Sequence, residues 1–159
     1  MIFGKNAQAL KTLNADMKDS HSIRKFYLTV VAGEMDEEKD LTGFIKKDSK
    51  NNTVSLVDEG GQIARSVARP IETADEFTFC EVEITTGRTH QIRVQMAQAG
   101  YPLIGDAKYG DTAVNKLMKE KYGLTSQLLH ACRLIMPSGM VIEAEMPEKF
   151  RKIKADIFG

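Results

Sequence analysis

Apolar residues recur at two different spacings in this chain, and the spacing separates strands from helices. Asn6 to Lys18 carries Ala7, Leu10, Leu13, Asn14 and Met17 at steps of three and four, which predicts an amphipathic helix that Asn6 can cap. Arg24 to Ala32 is rich in β-branched and aromatic residues and is closed by Gly33, as a largely buried strand would be. Leu41–Lys47 and Thr53–Val57 predict two short strands joined by the turn-rich run Asp48-Ser49-Lys50-Asn51-Asn52. Gln62 to Ile71 predicts one further strand. Phe77 to Thr85 alternates: Phe77, Phe79, Glu81 and Glu83 on one face, Thr78, Cys80, Val82 and Ile84 on the other. Thr89 to Ala99 predicts a helix with Thr89 as cap, an Ile92–Met96–Ala99 stripe, and Gly100 just past its end. Val114–Lys121 predicts a short helix. Leu128–Met136 and Met140–Met146 predict a hairpin about Pro137-Ser138-Gly139, and Pro147 opens a last helix. Strands outnumber helices and tight turns join several of them. The expected fold class is therefore α+β, a mainly antiparallel, mixed sheet with flanking helices.

Charge changes the picture little in sum and more in distribution. Lys and Arg number 22, as do Asp and Glu, so the net charge is zero. That excludes nucleic-acid binding by bulk charge, for which a pI above about 9 is usual, but not a local basic patch. Acidic residues gather from Glu34 to Asp40. Basic ones gather at Arg65 and Arg69, at Arg88 and Arg93, and from Lys149 to Lys154. A chain of 159 residues is expected to form one domain with an adequate core and no need of disulfides. Cys80 and Cys132 lie in strand-like runs with no CxxC, and are expected to be reduced and buried. No apolar run approaches the roughly 20 residues of a membrane helix, and no signal peptide is recognisable. A cytoplasmic protein with no membrane contact is expected.

The densest polar group is Thr86-Gly87-Arg88-Thr89-His90-Gln91-Ile92-Arg93, at a strand-to-helix junction. A helix N-terminus offers unpaired N–H groups and the positive end of the dipole, which suit phosphate or carboxylate. Arg88, His90 and Arg93 add donors of the same sign. Each residue singly fits an ordinary polar first turn; together they point to an anion or nucleic-acid site. His90 has no Cys or His at metal spacing, and no metal or organic cofactor is expected.

The run GRTHQIRVQMAQAGYPLIGDAKYG resembles the GRTHQIRVH…G-P-I-x-GD-x-x-YG signature of bacterial ribosomal large-subunit pseudouridine synthases of the RluA/RluC/RluD branch. Lys25-Phe26-Tyr27-Leu28 resembles that family's K-x-Y-L strand, Leu128-Leu129-His130-Ala131 its LLHA strand, and Lys5-Asn6 with Ala9-Leu10 its AKN-x-x-A-L helix start. The resemblance covers nearly the whole chain. It implies isomerisation of uridine to pseudouridine in RNA, with ribosomal RNA as the expected substrate, through a nucleotide flipped out of its stack.

The same resemblance assigns roles. Tyr27 would stack on the uracil, Arg93 would hold the nucleophilic aspartate ionised, and Leu129 would line the pocket. Arg88, His90 and Lys108 would contact RNA, while Asp106 and Tyr109 would fix the loop after the helix. The family's aspartate lies in an H-R-L-D-x-x-T-S-G motif upstream of the residues that match Met1 to Lys5, and no HRLD occurs in these 159 residues. Residues 1–159 are therefore expected to be a single partial catalytic domain, lacking its upstream part and any S4-like domain. The chain alone is expected to be inactive, with a non-catalytic RNA-binding protein of the same fold as the alternative. Loss of the upstream part is expected to leave an uncovered sheet edge through which the chain self-associates.

Overall fold

The structure is a computed structural model in which residues 6–8, 11, 23–48, 50–51 and 53–159 are described. The helix expected over Asn6–Lys18 lies largely outside the described residues. Among the described residues nine strands form two antiparallel sheets. The larger has the order β2 (Lys39–Asp40), β6 (Ser66–Ala74), β7 (Phe77–Ile84), β1 (Arg24–Ala32), β8 (Leu129–Ile135), β9 (Val141–Glu143). The smaller has the order β4 (Thr53–Val57), β3 (Gly43–Asp48), β5 (Gln62–Ala64). Every ladder among the described residues is antiparallel, so the α+β class holds without the parallel component of a mixed sheet.

Alternation along β7 sends Cys80, Val82 and Ile84 to one face, where they pack with Ile92 and Met96 of helix α1 (Gln91–Gln98). Phe79 points the other way, into a second core with Met118 of α2 (Thr112–Tyr122) and Phe150 and Ile153 of α3 (Glu148–Phe158). Phe79 meets Phe150 edge-on, with ring centroids 6.2 Å apart. Helices thus cover both faces of the sheet. Glu81 and Glu83 share the Phe79 face, and arginines neutralise them. Arg24 Nε lies 2.6 Å and Arg69 Nη1 3.1 Å from the Glu83 carboxylate, and Arg133 Nη2 lies 2.9 Å from that of Glu81. The bond from Arg24 outweighs burial and holds the Glu83 carboxyl below its ordinary range.

Two boundaries differ from expectation, and both arise where the chain changes sheet. The single strand expected over Gln62–Ile71 is broken at Arg65: β5 belongs to the small sheet and β6 to the large one. An apolar run shows which face a residue takes, not which neighbour its strand joins. The chain makes the reverse crossing at Leu41–Thr42, between β2 and β3. Two glutamines of α1, one turn apart and both buried, hold the crossings together. Gln91 Nε2 donates to Arg65 O (3.0 Å) and Ser66 Oγ (2.9 Å). Gln95 Nε2 donates to Leu41 O and Ala64 O, and Gln95 Oε1 accepts from Ser66 Oγ at 2.7 Å.

Helix α1 also starts later than expected. Thr89 does not cap it; His90 occupies the cap position, in left-handed backbone with φ 53° and no side-chain cap bond. The Gln91 side chain closes the turn instead, its Oε1 accepting from Arg88 N (3.1 Å) and Thr86 Oγ1 (2.8 Å). Ala99, expected on the apolar stripe, is exposed, while Val94 is buried against the small sheet. At the hairpin end the strand itself runs only over Val141–Glu143, with Met140 O and Ala144 N bonded to Met136 and Cys132 on either side, so β9 is a short edge.

Candidate RNA-binding and substrate site

The GRTHQIRV segment folds into a fixed scaffold rather than a loose polar turn. Left-handed backbone at a residue with a Cβ costs about 1–2 kcal/mol, and His90 is held there by its surroundings. Its ring Nδ1 lies 3.1 Å from the Tyr109 hydroxyl. That hydroxyl also accepts the backbone N–H of Val54, in the small sheet, at 2.7 Å. Arg88 Nε donates to Ile63 O at 3.2 Å, a second link to the small sheet.

Arg93, in the first turn of α1, forms a two-pronged pair with Asp106. Nε and Nη2 each donate to a carboxylate oxygen at 2.6 Å, and Asp106 is fully buried. Asp106 Oδ1 also accepts the backbone N–H groups of Lys108 (2.9 Å) and Tyr109 (3.1 Å). Its backbone carbonyl accepts from Gly110 N at 2.9 Å and Asn115 Nδ2 at 2.8 Å. Burial would raise the Asp106 pKa, but the Arg93 guanidinium and the two amides outweigh it and hold the carboxyl below its ordinary range. The same pair raises Arg93. The guanidinium also lies over the Tyr109 ring, 5.2 Å from its centroid. Asp106 and Tyr109 do fix the loop. Arg93, expected to face an aspartate outside this chain, already has one inside it.

The cations gather around His90. Burial lowers its pKa first, followed by the charges of Arg93 and Lys108; Asp106 opposes the shift, and Lys47 of β3 adds to it. The charges of Arg93, Lys108 and Lys47 thus converge on His90, while Arg88 is turned to the small sheet. Lys47 is a member that the sequence pattern did not single out, because it lies 43 positions before His90 on a separate sheet.

Tyr27 stands apart from that group. It is half-buried on the wall of a cavity of about 590 Å³ on the α1 face of the large sheet, with Lys25, Ile84, Gly87, Cys132 and Ile142. It sits opposite Ala131 of β8, and burial raises its hydroxyl pKa. Among the described residues that hydroxyl has no hydrogen-bond partner. Burial also lowers the pKa of Lys25. Leu129 packs against the same core as Tyr27 but does not line this cavity, and neither does Arg93. Gly87 connects the two regions: it borders the cavity and directly precedes Arg88.

The family model described as RNA pseudouridylate synthase matches residues 1–98. An uncharacterised RNA pseudouridine synthase of Chloroflexus aurantiacus is 31% identical over 134 residues, covering 84% of this chain and 40% of that protein. Ribosomal large subunit pseudouridine synthase D of Pseudomonas aeruginosa is 30% identical over 161 residues, covering 94% of this chain and 50% of that protein. The solved structure of human RNA pseudouridylate synthase domain containing 1 superposes with a TM-score of 0.73 at 22% identity, over 91% of this chain and 62% of that one. This chain therefore belongs to the RNA pseudouridylate synthase family. It spans about half the length, or less, of the curated relatives named here. Among its described residues no helix is long and apolar enough to cross a membrane.

Proposed function

We propose that this chain is the RNA-holding and uracil-stacking part of a pseudouridine synthase acting on ribosomal RNA in the cytoplasm, and that it does not isomerise uridine alone. The observation that carries the reading is the cavity wall. Tyr27 presents a ring, with its hydroxyl unpaired among the described residues, in a space large enough for a flipped base. A core tyrosine would ordinarily have found a partner for its hydroxyl. Arg88, His90 and Lys108 lie past Gly87, where the backbone of the same nucleotide strand would run.

Opening a glycosidic bond needs a carboxylate at the sugar, as nucleophile or base. Among the described residues the acid held by Arg93 is Asp106, which is buried and committed to its loop. We assign Arg93 a positioning role: Asp106 fixes its Nε and Nη2, and among the described residues no acceptor takes its Nη1. Nη1 is the atom left to orient an aspartate supplied by an HRLD segment. Leu129 would support the Tyr27 side of the pocket through the shared core. We also propose that β9, a three-residue edge that begins at exposed Val141 and follows exposed Met140, supports self-association at high concentration; light scattering across a concentration series checks it, and a monomer throughout excludes it.

The test of function incubates the pure chain with ribosomal RNA and measures both binding and pseudouridine. Binding without pseudouridine is expected. Turnover above background means that another carboxylate does the work, and absence of binding removes the RNA reading.

A further inference from the structure

We infer that the small sheet is an RNA-backbone arm, with Lys47 as a phosphate contact that extends the Arg88–His90–Lys108 surface. The inference rests on the RNA reading above.

The argument begins with register. Lys47 pairs with Val54 across the β3–β4 ladder, and Ile45 with Leu56. Residues directly opposite in such a ladder share a face. Val54 and Ile45 are buried against Val94 of α1. Lys47 therefore stands on the α1-facing side of the sheet, at the end where Val54 donates its N–H to the Tyr109 hydroxyl that also contacts His90. Lys47 is exposed and makes no ion pair with a described residue.

The neighbouring acids do not cancel this charge. Asp48 points to the opposite face, and its carboxylate accepts from Lys50 N at 2.9 Å and Asn51 Nδ2 at 2.7 Å within the turn. Asp106 is buried under Arg93. Asp111 caps α2, accepting Val114 N at 2.8 Å. These three acids are each held by other groups, so Lys47 remains an exposed positive charge although the chain as a whole is neutral. Such a local charge has a purpose in phosphate binding, which is governed by the charge lining the path of the backbone and not by the sum.

The arm is held in place before RNA arrives. Arg88 binds Ile63 O, the Val54 N–H binds Tyr109, Gln95 reaches Ala64 O (3.2 Å) and Gln91 reaches Arg65 O. A floppy insertion would lose ordering entropy on each phosphate contact; one fixed at four points loses little. The row runs from Gly87 at the cavity mouth through Arg88 and His90 to Lys47. That suits a polymer leaving the cavity, because its outer end lies on a different element from the cavity itself.

The experiment is fluorescence anisotropy of the unaltered chain, and of Lys47→Ala, Lys47→Arg and Lys152→Ala, with a labelled RNA hairpin carrying uridine in its loop, over a KCl series. Lys152 is exposed on α3, the helix on the opposite face of the large sheet, and serves as a control of equal charge change. Lys47→Ala is expected to weaken binding by roughly three- to tenfold at low salt and to lower the slope of log K against log salt by about one contact, near 0.7–0.9. Lys47→Arg should restore affinity and Lys152→Ala should leave it unchanged. Binding by Lys47→Ala equal to that of the unaltered chain overturns the arm and leaves the RNA reading standing. An equal loss for Lys47→Ala and Lys152→Ala overturns it too, since only total charge would then matter. No binding by the unaltered chain overturns the RNA reading, and the arm with it.

Discussion

The guanidinium of Arg93 and the carboxylate of Asp106 lie side by side, joined by two hydrogen bonds of 2.6 Å. The pair fastens the first turn of α1 to the Gly105–Gly110 loop. Bidentate geometry fixes direction as well as distance, so the third guanidinium nitrogen is aimed by an acid 13 residues downstream in the same chain. Breaking the pair by neutralising the acid leaves a little-exposed cation without its counter-charge. Asp106→Asn is therefore expected to cost about 3–5 kcal/mol, read as a lowered urea midpoint. Arg93→Lys keeps the charge but spans one oxygen instead of two. It should cost less stability than Asp106→Asn, and in a chain extended by an HRLD segment it should not support turnover. Turnover near the Arg93 level would remove the positioning role.

The pair also has a pH signature. The Asp106 pKa is lower folded than unfolded. Its contribution is then fully present above the unfolded value, about 3.9, and is lost as pH falls through the folded one. Urea midpoints should decline on acidification below about pH 4, and Asp106→Asn should flatten that decline. Parallel acid limbs for the two proteins would assign the acid sensitivity elsewhere.

Tyr109→Phe removes the hydroxyl that accepts the Val54 N–H. A part-buried donor left without an acceptor costs about 1–3 kcal/mol. Because the bond joins the small sheet to the loop, the loss should be local: hydrogen exchange should speed up at the Val54 amide while the amides of β1 and β7 keep their rates. Uniform acceleration over both sheets would show that Tyr109 supports the whole fold instead.

Tyr27 tests the cavity. Stacking of an aromatic ring on a base is worth about 1–3 kcal/mol. Tyr27→Phe should hold a uridine-loop RNA about as tightly as the unaltered chain, and Tyr27→Ala should bind it less tightly, with the gap closing when the loop uridine is replaced by an abasic sugar. An Ala variant that binds both RNAs as the unaltered chain does would mean that no base enters this cavity.

Gly105 marks how tightly the loop is built. Its φ is 76°, and a Cβ added there would lie 2.4 Å from Ser126 O. Gly105→Ala is expected to destabilise by at least the 1–3 kcal/mol of a strained backbone position, measured by thermal unfolding. A melting temperature unchanged from that of the unaltered chain would show that the loop yields more readily than its geometry implies.

Much of this arrangement is legible in the residue order because it is encoded locally. Period-two runs define β1 and β7, since a strand's side chains alternate whatever it pairs with. The Val114–Lys121 pattern falls inside α2, although the Asp111 cap that starts it two residues earlier is not singled out there. The GRTHQIRV and GDAKYG runs locate the polar residues and give Asp106 its loop-fixing part. What stays hidden is the choice of partner between distant segments. Nothing near Arg65 announces a change of sheet; the break exists because Gln91 and Gln95 satisfy the backbone there from another element. His90 reads as an ordinary first-turn residue until Tyr109 and Val54 meet it. Arg93 reads as the partner of an aspartate outside these residues until the loop after α1 folds back and supplies Asp106, and Lys47 is not singled out until its sheet docks on Val94. Faces and turns follow from short-range sterics and periodicity, whereas partners follow from which buried polar groups the packed chain must satisfy together.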